Sequence, residues 1–295
     1  MDMKNDNEQS LSELIKIDRP NITESSVKTY VQNLKKLGII KVEDLEKLYD
    51  TTEMMKTIDD NKLSMKRNLI SAIIVIIRAA AMRKELYEVY RQQLFEYTRQ
   101  YNMEISQNEK TAVQEKNWVK MSELKKIARN LAKKKVNQDA LIAYLYSYTS
   151  PCRLDYYSMK IVGPKDILDK NQNYLVIHNT RRKEFVFRDF KTSNKYNEII
   201  IKVNKDINRI INQFLKLNPE RKYLLQKKDG EPLSRNALGK LLPRIFKDTG
   251  KEVSINIIRH VYITENTDLE MLKSAKELSH DMMHGTGVQM TYAKN

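Results

Sequence analysis

Apolar side chains at Val27, Tyr30, Val31, Leu34 and Leu37 follow the i, i+3, i+4, i+7 spacing of one helix face. The polar run Asn21-Ile-Thr-Glu-Ser ahead of this stripe predicts an N-cap, and Gly38 closes the helix as the residue past its C-cap. Leu69, Ile70, Ile73, Ile74 and Ile77 form a second stripe and predict one long helix from Met65 to about Tyr90, capped by Ser64. Tyr101 to Asn117 has few apolar positions and predicts an interdomain linker. Order resumes at Trp118, where Ser122 is expected to cap a basic helix running to about Lys135. Gln138 to Tyr148 is apolar on most sides and is expected to be a buried helix.

Strand signals are confined to a short stretch. Tyr174–His178, Glu184–Arg188 and Glu198–Val203 are β-type runs separated by polar turns, which predicts a small antiparallel meander. From Lys205 onward the pattern is helical, with breaks at Asn218-Pro219, Asp229-Gly230 and Gly250. The expected fold class is mainly α within α+β, with a three-stranded antiparallel sheet in the second half. No internal repeat is visible.

A chain of 295 residues accommodates two domains. The pattern divides it into 1–105, a linker at 106–117, and 118–295. Only 7 Gly and 6 Pro argue against a turn-dense all-β fold. The formal net charge of +15 points to a polyanionic partner, of which nucleic acid is the commonest. The charge is also uneven. Residues 1–100 hold 17 Lys and Arg against 16 Asp and Glu, and the remainder hold 36 against 22. The second half is therefore expected to carry the phosphate-contacting surface, unless the excess is merely a solvated face.

Other classes lose support from particular residues. One cysteine, Cys152, excludes an intramolecular disulfide and a cysteine-based zinc site, and is expected to be a small buried hydrophobe. The run Leu69–Met82 is interrupted by Arg78 and is too short to cross a bilayer. Met1–Ser10 is polar, with no secretory pattern, so the expected setting is intracellular and away from membranes. His280 and His284 are spaced to face one zinc ion, but no H-E-x-x-H glutamate or third ligand accompanies them. No phosphate-cradling glycine loop and no G-x-S-x-G elbow occurs, so no cofactor is expected. Lys62, Lys66 and Arg67 crowd a helix start against its dipole, which is tolerable if they face a phosphate and otherwise uninformative.

What remains is an ordered set of cations and one tyrosine. Arg153 stands in Ser150-Pro-Cys-Arg-Leu-Asp-Tyr-Tyr, Lys191 in Phe190-Lys-Thr, and Arg259 in Asn256-Ile-Ile-Arg-His. His284 precedes Tyr292 by eight residues. This order resembles the tyrosine recombinase (phage integrase) superfamily: arginine, β-turn lysine, H-x-x-R, second histidine, nucleophilic tyrosine. Gln114-Glu-Lys-Asn-Trp118, the Arg153-Leu-Asp-Tyr element and Phe190-Lys-Thr-Ser-Asn-Lys-Tyr196 look most like recombinases of giant DNA viruses, virophages and related mobile elements. The resemblance implies a helical core-binding domain of the SAM-like type ahead of a catalytic domain. It also implies a site-specific recombinase or integrase that acts through a 3′-phosphotyrosyl intermediate, without metal or ATP.

Residue by residue, the resemblance makes Arg153 and Arg259 a clamp on the phosphate and Lys191 the acid for the leaving oxygen, with Lys195 as the alternative. Tyr292 becomes the nucleophile, and His284 or else His280 its partner. Asn256 stands where the family has histidine and cannot shuttle a proton at neutral pH. His260 is expected to be a packing or second-layer residue. The implied partner is double-stranded DNA, bound by a monomer that assembles into a tetramer on paired sites. The implied location is a host nucleus or viral factory. Type IB topoisomerase chemistry and a decayed, binding-only protein are the alternatives.

Overall fold

A computed structural model describes residues 4–166 and 169–281, apart from the side chains of residues 4–10, 269, 273, 276, 279 and 280. The chain divides into two compact units, Met1–Glu109 and Lys110–Asn295. Tyr292 and His284, expected at the site, lie outside the described residues.

Unit one is helical. Helix α1 (Lys4–Asp18) and helix α2 (Glu24–Lys36) are followed by a 3-10 turn at Val42–Tyr49 and helix α3 (Thr51–Asp59). Helices α4 (Leu63–Ala79) and α5 (Lys84–Ser106) complete the unit. The predicted stripe of α2 is real, and its cap is Thr23, whose side chain accepts from the Ser26 N–H. Gly38 has φ +74°, the left-handed conformation that ends helices. Leu69, Ile70, Ile73 and Ile77 of α4 are buried and Ile74 is half-buried, and the row packs with Leu11, Ile15, Leu34 and Tyr90 into one core.

Two predictions for this unit are corrected. The long helix to Tyr90 is two helices, broken at Ala81, which has φ +49°. An alanine in that region costs about 1–2 kcal/mol, offset here by the helix-ending hydrogen bonds from Met82 N–H to Ile77 O and from Ala81 N–H to Arg78 O, each 3.0 Å. Lys62, not Ser64, occupies the N-cap of α4. The stretch Tyr101–Ser106 continues α5, and Ala112–Asn117 forms a short helix α6 behind a Thr111–Gln114 capping box. Lys66 and Arg67 have partners inside the unit: Lys66 pairs with Asp59 at 2.8 Å, and Arg67 lies 4.3 Å from the Tyr101 ring centre.

One carboxylate in this unit carries a pH signature. Asp44 meets the Lys47 ammonium at 2.8 Å and accepts the N–H groups of Ile40 and Lys41 at 2.9 and 3.0 Å. Together these hold its pKa down to about 2, from an ordinary value of 3.8. The stability it confers is present above pH 3.8 and lost as pH falls toward 2. Thermal unfolding of Asp44→Asn should therefore show a lower Tm than wild type at pH 5, and the gap should close near pH 2.

Unit two is α+β. Helices α7 (Met121–Lys134) and α8 (Gln138–Ser147) come first, then strands β1 (Lys160–Val162), β2 (Tyr174–Ile177) and β3 (Lys183–Phe187). A four-residue helix α9 (Ser193–Tyr196) leads to β4 (Ile199–Lys202). Helices α10 (Lys205–Lys216), α11 (Arg235–Ile245), α12 (Ile255–Asn266) and α13 (Leu269–Asp281) follow. Residues Ala140–Ser147 of α8 are all buried, as its sequence predicts, and form the centre of the unit's core. Lys120, not Ser122, occupies the N-cap of α7. Its N-terminal Met121 N–H is accepted by Glu265 of α12 at 3.0 Å.

The sheet is larger than predicted. Its order is β1-β2-β3-β4, with β2–β3 and β3–β4 antiparallel and β1 parallel to β2. Strand β1 is only Lys-Ile-Val and is recruited by pairing, which short-range pattern does not reveal. Leu175, Phe185 and Phe187 point into the helical core, while Tyr174, Val176 and Val186 cluster on the opposite face. The β2–β3 turn is pinned from inside: the buried Lys183 ammonium donates to Thr180 O at 3.0 Å and to Asn208 and Asn212 of α10 at 2.7 and 2.6 Å.

Candidate active site

Arg153 follows α8 in an irregular segment and is exposed. Two contacts fix that segment. The Tyr146 hydroxyl donates to the Arg153 carbonyl at 3.0 Å, and Ser150 Oγ lies 2.8 Å from Tyr262 Oη on α12. Tyr262 is one turn past Arg259, so the same tie brings the Arg259 stretch of α12 against the Arg153 segment. Ser254 caps this helix, accepting from the Ile257 N–H.

Both arginines act on a third residue that the sequence reading did not single out. Asp155 is 4% exposed, and its Oδ1 makes no hydrogen bond. Burial pushes its carboxyl above the usual range. Arg235, Arg153 and Arg259 pull against that shift, and Asp189 adds like-charge repulsion. Arg235 is the nearest cation, with Nη2 3.3 Å from Asp155 Oδ1. The 3.3 Å approach is an ion pair by distance, but its angle is not that of a hydrogen bond. One buried carboxylate thus pairs with Arg235 and feels the charge of Arg153 and Arg259 as well.

The connection holding Lys191 is tied to the same place through Asn173. This side chain is fully buried, and its amide N–H groups donate to the carbonyls of Asp155 and Asp189, each at 2.9 Å. Its carbonyl accepts from the N–H groups of Arg188 and Asp189 at 2.8 and 2.9 Å. Every hydrogen-bonding direction of the amide is in use. Asn173 therefore clamps the Arg153 segment to the end of β3, two residues before Lys191. Asn173→Ala would strand these buried backbone groups at about 1–3 kcal/mol each. A loss of about 4 kcal/mol is the expected result, read in urea unfolding through Trp118, the single tryptophan, which packs against this core.

Lys191 itself is exposed. Its connection is not a tight turn, because α9 occupies it and Asn197 takes φ +56°. Lys195 lies on α9 with its ammonium 5.3 Å from the Tyr196 ring centre. A cavity of about 400 Å³ is lined by Lys170, Arg188, Asn194 and Glu198, with none of the arginines around Asp155 among its walls. Asn256 is exposed in the first turn of α12, three residues before Arg259. His260 is also exposed, which corrects its expected packing role. Cys152 is half-buried as a residue, and burial pushes its thiol up to about 12, so it is not a reactive thiolate.

His280 falls on α13, and its side chain, like all of His284 and Tyr292, lies outside the described residues. Among the described residues no cluster of three or more His, Cys, Asp or Glu is placed to hold a metal. No described helix is long and apolar enough to cross a membrane. Asp155 was open to detection, since it stands two residues after Arg153. Arg235 had one local signal, a cation directly after the Ser234 N-cap of α11.

No protein-family model and no curated protein matches the chain. Among solved structures, the chain is similar to XerA recombinase at 11% identity and a TM-score of 0.37, over 90% of this chain and 87% of that one. It is also similar to a lambda integrase dimer bound to a COC′ core site, at 14% identity and a TM-score of 0.49, over 93% and 73%. A lambda integrase(75–356) dimer on the same kind of site gives 13%, 0.48, 89% and 92%. The solved structures named are thus a recombinase and two integrase complexes.

Proposed function

We propose that this protein is a tyrosine-type site-specific DNA recombinase. The observation that supports it best is the 2.8 Å contact of Ser150 Oγ with Tyr262 Oη, which brings the Arg153 segment and the Arg259 stretch of α12 together from distant parts of the chain. A phosphodiester presents two nonbridging oxygens, and forked guanidiniums that never lose their charge are matched to them. As the phosphorus becomes pentacoordinate, negative charge builds on those oxygens, and the arginines stabilise it where it develops.

In this reading Tyr292 attacks phosphorus through its phenolic oxygen and gives up its proton to His284. The bond from phosphorus to the 5′ oxygen breaks as Lys191 delivers a proton to that oxygen. The product is a 3′-phosphotyrosyl bond and a free 5′ hydroxyl. Attack by a second 5′ hydroxyl reverses the step, so no ATP is consumed. The lysine's connection is anchored by Asn173 at Asp189 and by Phe190 against the core, while Lys191 and Thr192 are exposed, which suits a residue that must reach its acceptor. Residues 1–105 and the catalytic domain 118–295 would each grip duplex DNA. A monomer would assemble into a tetramer on paired sites, in a virus or related mobile element whose DNA is handled in a host nucleus or viral factory.

Asn256 favours a second reading, a binding-only protein, because the family's histidine is missing. A duplex nicked so that the cleaved fragment diffuses away separates the two. A protease-sensitive covalent protein–DNA adduct supports the recombinase, and tight binding with no adduct supports the binding-only reading. Exchange between two sites then separates a recombinase from a topoisomerase.

A further inference from the structure

Arg235 is the guanidinium nearest Asp155, yet no step above employs it. It opens α11, directly after the Ser234 cap, where the helix dipole disfavours a cation. Two neighbours hold it there. Asp155 Oδ1 lies 3.3 Å from its Nη2, and the guanidinium carbon sits 5.1 Å from the Tyr157 ring centre. Tyr157 is itself fixed, its hydroxyl donating to Asp189 at 3.3 Å.

This support does not bury the arginine. Its side chain remains 45% exposed, while Asp155 beneath it is only 6% exposed at the side chain. A guanidinium carries five N–H donors in a rigid fork, and one carboxylate oxygen at poor angle occupies little of that capacity. Arg153 and Arg259 also act on the same carboxylate, opposed there by the charge of Asp189. A pre-oriented, half-open guanidinium is suited to an oxyanion.

We infer that Arg235 is a third anion-contacting residue of this site, held by Asp155 and Tyr157 against a backbone phosphate of the bound DNA. The inference rests on the DNA-cleaving reading and adds a residue and a contact to it. Arg235 then contributes to DNA affinity without reading base sequence.

The test is DNA affinity as a function of salt for the full chain. Wild type should weaken log-linearly with salt, and Arg235→Gln should lower the slope by about one and the affinity about tenfold. Arg235→Lys should keep the slope. A purely structural Arg235 would act only by neutralising Asp155, and the double variant Arg235→Gln/Asp155→Asn removes that burden. The double variant should still show the reduced slope, whereas a return to the wild-type slope overturns the inference. Wild-type protein supplies a second measurement that needs no variant. Bound DNA should protect Arg235 from an arginine-selective dicarbonyl reagent, read by peptide mass spectrometry, and equal modification with and without DNA overturns it. A flat salt response of wild type would instead overturn the DNA reading and this assignment together.

Discussion

Arg259→Ala or Arg153→Ala is expected to lower DNA strand cleavage by about a hundred- to a thousandfold. Each change removes a forked donor from the place where phosphate charge develops. Each also removes one of the cations that oppose burial at Asp155, whose pKa then rises further. The Arg153 segment should nevertheless keep its shape, because its ties run through the Arg153 carbonyl, Ser150 and Asn173 rather than through the guanidinium. Folding should survive while cleavage fails, and Arg→Lys should restore little, because a point charge lacks the fork. Rates on the nicked duplex measure this. Cleavage within a few-fold of wild type in both alanine variants would sink the clamp assignment.

Tyr292→Phe is the second large effect and the more selective one. It deletes a single oxygen, so DNA affinity should stay within about twofold while the covalent adduct disappears. An ordinary tyrosine, with a pKa near 10, is mostly protonated at neutral pH. His284→Ala should accordingly slow adduct formation while leaving it detectable at high pH. A covalent complex formed by Tyr292→Phe would assign the nucleophile elsewhere. Tyr262 would be tested first, since its hydroxyl already lies beside the Arg153 segment at Ser150.

Much of the architecture was legible because local pattern and burial agree. The α2 stripe ends at a glycine with positive φ, and α8 is apolar on most sides because its residues 140–147 are surrounded by core. Strands β2 and β3 alternate between two apolar faces, so each reads as a strand on its own. The failures share a cause. The break at Ala81 interrupts a hydrophobic stripe that continues on both sides, so periodicity carries straight across it. Strand β1 exists through its register with β2, Lys160 opposite Tyr174, and three residues of Lys-Ile-Val carry no strand signal alone.

The site divides along the same line. The order of Arg153, Lys191, Asn256, Arg259, His284 and Tyr292 along the chain is a property of the sequence, and so is the basic excess of the second half. Residue type alone also determined what chemistry such a set can do, because guanidinium, ammonium and phenol have fixed charges and proton affinities. Convergence required the tertiary structure. Asp155, Asn173 and Arg235 stand far apart in sequence and look like ordinary polar residues there. Folding removes water from Asp155, uses every hydrogen bond of Asn173 and sets Arg235 on a tyrosine ring. Desolvation and hydrogen-bond geometry depend on neighbours distant in sequence, and those neighbours are supplied only by the packed core.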